Sequence, residues 1–337
     1  MMKQRSSSRK TAPQIKPSEI LGFHRALDIW YQLHGRHDLP WRTTPDAYHI
    51  WVSEVMLQQT QVATVRDRYY GQFLRQFPTV SALARAPLPK LLKAWEGMGY
   101  YRRAVNLHKA AQQTAPALPD NFEALIELPG IGKNTAHAIL AFAYKKPYPV
   151  LEANVKRVVA RIFAQKNDKD LWEYAERLLN RENPFDYNQA MMDVGSMICT
   201  PKAPKCKECP AMQICKGRTN PTAYPAAKVK KSIPTKKLFI LVRQDSKGRL
   251  FLEARDTKLL GGLYGFEQVG TAPKNAKKIG KLAHIYSHFK VEAEVVLVKT
   301  AASNSPNWHT KDALQKLPLS KLDWKVLELI DAAQPAR

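Results

Sequence analysis

The chain has four cysteines, Cys199, Cys206, Cys209 and Cys215, and all of them fall within seventeen residues. Their spacing, C-x6-C-x2-C-x5-C, leaves no distant thiol for a disulfide framework. The stretch is therefore expected to be a tight loop folded around a metal centre, in a reducing compartment. Four thiolates so close can wrap either a structural zinc ion or an iron–sulfur cluster. Zinc sites more often show two separated C-x2-C pairs, whereas one compact loop suits a structural [4Fe–4S] cluster. Lys202, Lys205, Lys207, Lys216 and Arg218 surround the loop and could contact a phosphate backbone.

Charge points the same way. Lysine and arginine number 53 against 29 acidic residues, a net charge of +24, and the usual use of such an excess is binding nucleic acid. The length of 337 residues allows two domains, and a hydrophobic content of 45% is that of a folded protein. No run of eighteen apolar residues occurs, so no membrane span is expected. Residues 1–18 carry five basic residues and no acid, and lack the apolar core of a signal peptide. They read as a disordered basic tail.

From about 19 to 198 the pattern is helical, punctuated by Pro40, Pro78, Pro87, Pro119, Pro129 and Pro147, and with the cysteine loop it makes a first domain over 19–218. Val155, Val158, Val159, Ile162 and Phe163 recur at helical spacing, with Lys156, Arg157 and Arg161 assigned to the opposite side and Asn154 as N-cap. Residues 219–235 turn to Pro, Ala, Lys and Thr and read as a linker. Beyond it, Lys237–Val242, Leu250–Ala254 and Val291–Val298 read as strands and 309–336 as helical, giving a C-terminal α+β domain over 236–337.

Leu128-Pro129-Gly130-Ile131-Gly132-Lys133 opens a helix with two glycines, which lets backbone approach an anion and aim N–H groups at it. Glu152, twenty residues past Gly132, would stand beside whatever that hairpin holds. Glu54 lies on an apolar helix near Ile50, Trp51 and Leu57, where burial should raise its pKa and keep it protonated as a general acid.

Hairpin, following carboxylate and cysteine loop together resemble the helix-hairpin-helix DNA glycosylases of the endonuclease III superfamily. Trp51-Val52-Ser53-Glu54-Val55-Met56-Leu57-Gln58-Gln59-Thr60 narrows the resemblance to the adenine DNA glycosylases (MutY family), as do Leu39-Pro40-Trp41-Arg42 and Trp95-Glu96-Gly97-Met98-Gly99-Tyr100-Tyr101. It is close over roughly residues 21–218 and loose over the C-terminal domain. The fold it implies is mainly α: a glycosylase body of two helical subdomains with a four-cysteine cluster loop, plus an α+β Nudix-like domain.

The implied activity is removal of adenine mispaired with 8-oxoguanine or guanine in double-stranded DNA, after the adenosine is flipped out of the duplex. In that resemblance Glu54 is the acid that protonates adenine. Glu152 is the carboxylate that stabilises the oxocarbenium ion left behind, with Asn154 in the same catalytic motif. The family's Asp-Gly appears here as Glu152-Ala153, which adds a methylene to the acid and a Cβ beside it. Gly130, Gly132, Lys133 and Lys156 are implied DNA contacts, and Gln59 and Tyr100 wedge into the duplex.

Members that also cut the backbone carry a lysine where this chain has Asn134, so a monofunctional enzyme is favoured over a bifunctional lyase. His137, where glycine is common, either packs or touches phosphate. Leu259-Leu260-Gly261-Gly262-Leu263-Tyr264-Gly265-Phe266-Glu267 resembles a strand and loop of the Nudix-like domain. Tyr286-Ser287-His288 matches the loop that reads the oxidised guanine. Only Asp256 and Glu267 are acidic between 254 and 290, too few to hold Mg²⁺ for diphosphate hydrolysis. A monomer is expected, cytoplasmic and nucleoid-associated in a bacterium, nuclear or mitochondrial in a eukaryote. A binding protein that recognises the mispair without excising adenine is the alternative from another class.

Overall fold

The computed structural model describes residues 15–227, 232–257 and 260–333. Most of the expected basic tail, and Leu259 of the Nudix-like motif, lie outside the described residues. The chain forms two compact units, Met1–Val55 with Leu118–Val229, and Met56–Ala117 with Lys230–Arg337. Glu54 therefore belongs to the first unit and Gln59 to the second. Among the described residues no helix is long and apolar enough to cross a membrane.

The first unit is helical. Its opening helix, Pro17–His34, starts two residues ahead of the expected boundary. Pro17 sits at its first position, and Glu19 reaches back to accept from the Lys16 amide at 2.7 Å. Phe23, Leu27 and Tyr31, one turn apart, enter the core. There they meet the helix Ala153–Ile162, whose Val155, Val158, Val159 and Ile162 are buried as the periodicity predicts.

Arg161 is a correction. Expected on the polar side of that helix, it is 2% exposed, and its guanidinium donates to the carbonyls of Cys199, Thr200, Pro201, Pro221 and Tyr224. The irregular cysteine loop cannot pair its own carbonyls, and a planar five-donor fork meets that need inside the protein. Asn154 is a second correction. It is not the N-cap: the helix begins at Ala153 and Glu152 caps it.

The second unit joins helices of 56–117 to a β domain. Strand β1 (Thr235–Asp245) runs parallel to β7 (Lys290–Thr300), with Phe239 beside Glu294. β2 (Leu250–Phe251) and β5 (Glu267–Val269) pair antiparallel with β1, and β6 (Lys277–Ile285) pairs with β7. The sheet order is β6-β7-β1-β2-β8, with β8 at Trp308–His309, and β3 (Glu253–Ala254) pairs with β4 (Tyr264–Gly265) in a separate two-stranded sheet. On β7, Val291, Ala293 and Val295 point into the core and Glu292 and Glu294 away from it, matching the alternation in the sequence.

Within the stretch expected to be helical, the described residues form two helices, Lys311–Lys316 and Lys321–Ala333, while His309 belongs to β8. Leu322, Val326 and Ile330 of the second pack in one core with Ile240 and Val295. Within the same unit, Trp324 Nε1 donates to Glu96 Oε1 at 2.7 Å and Tyr101 to the Leu319 carbonyl at 3.3 Å.

Candidate active site and nucleic-acid interface

Glu54 sits on the helix Ala47–Leu57, where Ile50, Trp51, Val52, Val55 and Met56 are all buried. The residue is half-buried, and desolvation of its carboxyl lifts the pKa to about 7. The negative charge of Glu152 raises it further and Arg42 opposes both. The two candidate carboxyls are thus electrostatic neighbours within one unit.

Arg42 is fixed by Asp193, which is fully buried: Nη1 donates to Oδ2 at 2.8 Å and Nη2 to Oδ1 at 2.9 Å. Arg36 adds its backbone amide at 2.9 Å and Nε at 2.8 Å. Burial works to raise the Asp193 carboxyl, yet these bonds and charges hold it below the ordinary carboxylate range. In the same unit, Trp51 Nε1 and Gln189 Oε1 are buried polar atoms with no partner among the described residues. Polar atoms left so are costly unless a ligand or water meets them.

Glu152 is used twice over. Its Oε1 accepts from the Val155 amide at 3.0 Å and its Oε2 from the Asn154 amide at 2.9 Å, so the carboxylate closes the N-terminus of its own helix. The extra methylene relative to aspartate is taken up by this backward fold. The residues before it have no regular structure and are held by side chains instead. Asn188 Oδ1 accepts from the Val150 amide at 2.8 Å and its Nδ2 donates to the Tyr148 carbonyl at 2.9 Å. His137 Nδ1 meets the Pro149 carbonyl at 2.7 Å, and Asn134 Oδ1 accepts from the Leu151 amide at 2.7 Å.

Asn134 thus stands at the position of the lyase lysine but serves as a backbone clamp one residue before Glu152. Asn134→Ala should cost about 1–3 kcal/mol by leaving a partly buried amide unpaired, read as a lower midpoint in chemical denaturation. Ala153 is exposed. Asn154 Oδ1 accepts from Arg157 Nη2 at 3.0 Å, and Arg157 also reaches the Gly195 carbonyl.

At the hairpin, Gly130 has φ +82°, a left-handed value that favours glycine. Gly132 is the N-cap of the helix Lys133–Ala143 and has no side chain to cap it, the setting in which a helix start receives an anion. Lys133 is exposed, with Nζ 4.1 Å from the centre of the Trp172 ring. His137 is buried against Phe122, Tyr148 and Trp172. Burial brings it down to about 4, with Lys133 adding to the fall and the Pro149 carbonyl opposing it. It packs as a neutral ring and offers nothing to phosphate. Lys156 is half-buried on its helix.

No disulfide joins any of the four cysteines. Burial pushes Cys209 up to about 12 and Cys215 up to about 11, and the neighbouring thiols add to both shifts. Arg161 Nη1 lies 3.3 Å from Cys199 Sγ and Arg157 Nε donates to the Cys199 carbonyl at 2.7 Å. Cys199, Cys209 and Cys215 border the first unit's apolar core. A buried donor set of this kind is stable as thiolates only around a cationic centre. Among the described residues no three side chains converge closely enough to hold a single ion. Four cysteines within one loop are a donor set whose chemistry suits an iron–sulfur cluster.

In the second unit Gln59 and Tyr100 are both exposed, and both have left-handed backbones, φ +61° and +49°. The Tyr100 hydroxyl is 2.7 Å from Ser287 Oγ. Ser287 and His288 are exposed in the β6–β7 loop, whereas Tyr286 is half-buried against Phe289 and His284. Tyr286 therefore anchors the loop rather than projecting from it. Glu267, one of the two acids in the Nudix-like segment, pairs with Arg243.

Residues 52–182 match the model of the HhH-GPD superfamily base excision DNA repair proteins, and residues 238–329 match that of the NUDIX domain. An adenine DNA glycosylase of Buchnera aphidicola subsp. Schizaphis graminum is 32% identical over 92% of this chain and 99% of its own length. The Rattus norvegicus adenine DNA glycosylase is 40% identical over 59% of this chain and 42% of its own. Among solved structures, a thermostable thymine-DNA glycosylase aligns with a TM-score of 0.56 at 28% identity, over 60% of this chain and 97% of that one. Endonuclease III in a non-covalent complex with DNA aligns at 0.51 and 18% identity, over 61% and 98%, a likeness of fold.

Proposed function

Because the chain belongs to the adenine DNA glycosylase family of base-excision-repair enzymes, we propose that it hydrolyses the N-glycosidic bond of adenine mispaired with 8-oxoguanine or guanine, as a monofunctional glycosylase. The observation that carries this reading is a carboxyl poised near pH 7 beside a second, hydrogen-bonded carboxylate. Glu54, protonated, gives its proton to a ring nitrogen of the everted adenine. The C1′–N9 bond breaks and the base leaves with the bonding electron pair. Glu152 stabilises the positive sugar by charge or by covalent capture. Water then adds at C1′ and returns a proton to Glu54.

Asn134 cannot form a Schiff base, which supports the monofunctional reading over a glycosylase/lyase. Gln59 and Tyr100 enter the duplex, and Ser287 and His288 read the oxidised guanine opposite. The hairpin from Gly130 to Lys133, together with Lys156, holds the DNA backbone. A single-turnover assay on an 8-oxoguanine:adenine duplex tests the whole. Full retention of adenine by cluster-loaded protein would leave only mispair binding, and a borohydride-trapped adduct would restore the lyase.

A [4Fe–4S] cluster held by Cys199, Cys206, Cys209 and Cys215 would cross-link the loop to its helix and supply no step of the reaction. Cys209→Ser should remove the yellow-brown colour of the purified protein and loosen the loop, seen as faster proteolysis between 199 and 218.

A further inference from the structure

Resting on the reading that Gln59 and Tyr100 enter the duplex, we propose that Arg103 is a positioning residue that holds both in their inserting conformations. Gln59 and Tyr100 adopt φ +61° and +49°, a region that non-glycine residues populate rarely and at a cost. They come from separate loops, after the helix Ala47–Leu57 and before the helix Arg102–Thr114. One guanidinium grips both loops. Arg103 Nη1 donates to the carbonyls of Met56 at 3.0 Å and Gln58 at 2.5 Å. Nη2 donates to Thr60 Oγ1 at 3.3 Å and to the carbonyls of Met98 and Gly99 at 3.4 and 3.2 Å. Gln59 is thus bracketed on both sides.

Tyr100 is held by the same group. The carbonyl before it is bonded, and the guanidinium carbon lies 5.5 Å from the centre of its ring and 5.5 Å from that of buried Trp95. Lying over two rings while donating to five acceptors suits the planar guanidinium fork. A lysine would keep the charge and lose the fork. Burial brings Arg103 down to about 10, so it remains cationic at neutral pH. Prying a base out of a stack needs rigid wedges, and the left-handed backbones persist only while the surroundings over-determine them.

The test uses the full-length, cluster-containing protein and a duplex with 2-aminopurine in place of the target adenine, opposite 8-oxoguanine. Base extrusion is read as a fluorescence rise. In Arg103→Lys the extrusion rate should fall roughly tenfold, with affinity for fully paired duplex kept within about twofold. In a Gln59→Gly/Tyr100→Gly background, adding Arg103→Lys should change single-turnover excision by less than about twofold. Glycine takes positive φ unaided, and no wedge remains to be positioned.

Wild-type-like extrusion by Arg103→Lys would overturn the inference. So would an equal loss of excision in both backgrounds, which marks a general structural role and stays readable if the single variant melts early. If protein with Arg103 intact gives no fluorescence rise at all, the insertion reading falls and the inference with it.

Discussion

Glu54→Gln should lower single-turnover excision of adenine by roughly a thousandfold, the scale of a lost general acid, while affinity for the mispaired duplex stays near that of the unaltered protein. The amide is isosteric and can still hydrogen-bond, but it has no proton to give to the departing purine. The pH profile follows from the same burial. Glu54 is lifted to about 7, so the proton-bearing form dominates below that pH and the rate should fall as pH rises through it. The stability consequence has the matching sign. A carboxyl whose folded pKa is raised contributes fully below its unfolded pKa, and this contribution is lost as pH climbs to about 7 and beyond. Glu54→Gln should therefore be more stable than the parent above pH 7, by about 2–3 kcal/mol, and lose that advantage near pH 4. Equal melting of the two proteins at pH 8 would show that Glu54 is not desolvated as described.

Periodicity and the resemblance gave the architecture, and they did so where side chains repeat. Val155, Val158, Val159 and Ile162 mark one helix face, and Val291, Ala293 and Val295 mark one strand face, because burial imposes periods of 3.6 and 2. Strand β6 carries no strand signal in the sequence because Lys277, Lys278, Gly280 and Lys281 are poor strand formers; it lies at the sheet edge, where lysine is tolerated. Arg161 departs from the sequence pattern for a related reason. A charged residue on an amphipathic helix is read as solvated unless the carbonyls that receive it are known, and those lie some forty to sixty residues downstream. The clamps at Asn134, Asn188 and Asp193 left no local signal, since each partner is remote in sequence. The resemblance supplied the pairing of Glu54 with Glu152, and the sequence alone could not have shown that Glu152 would fold back onto its own helix.

That fold-back decides what replacing Glu152 should do. Glu152→Gln keeps an oxygen to accept from one helix amide, so loss of stability should stay near or below about 1 kcal/mol. Loss of the negative charge beside the sugar should lower excision by roughly 100- to 1,000-fold. A second effect separates the charge from mere shape. Glu152 is one of the groups that raise Glu54, so removing its charge should shift the falling limb of the pH–rate profile to lower pH. A neutral replacement acting only through misplaced packing would leave that limb where it was. Glu152→Asp is the harder test. Aspartate is a good N-cap and restores the family's residue, yet its shorter chain would draw the carboxylate back from the place the glutamate now gives it. With Asn134, His137 and Asn188 fixing the preceding backbone and both glutamate oxygens already bonded, the loop is built around the longer acid. Glu152→Asp should therefore excise adenine no faster than the parent, and a displacement near 1 Å could slow it on the order of 100-fold. A clear gain in single-turnover rate would mean instead that glutamate is an impairment, and that the clamp serves stability alone.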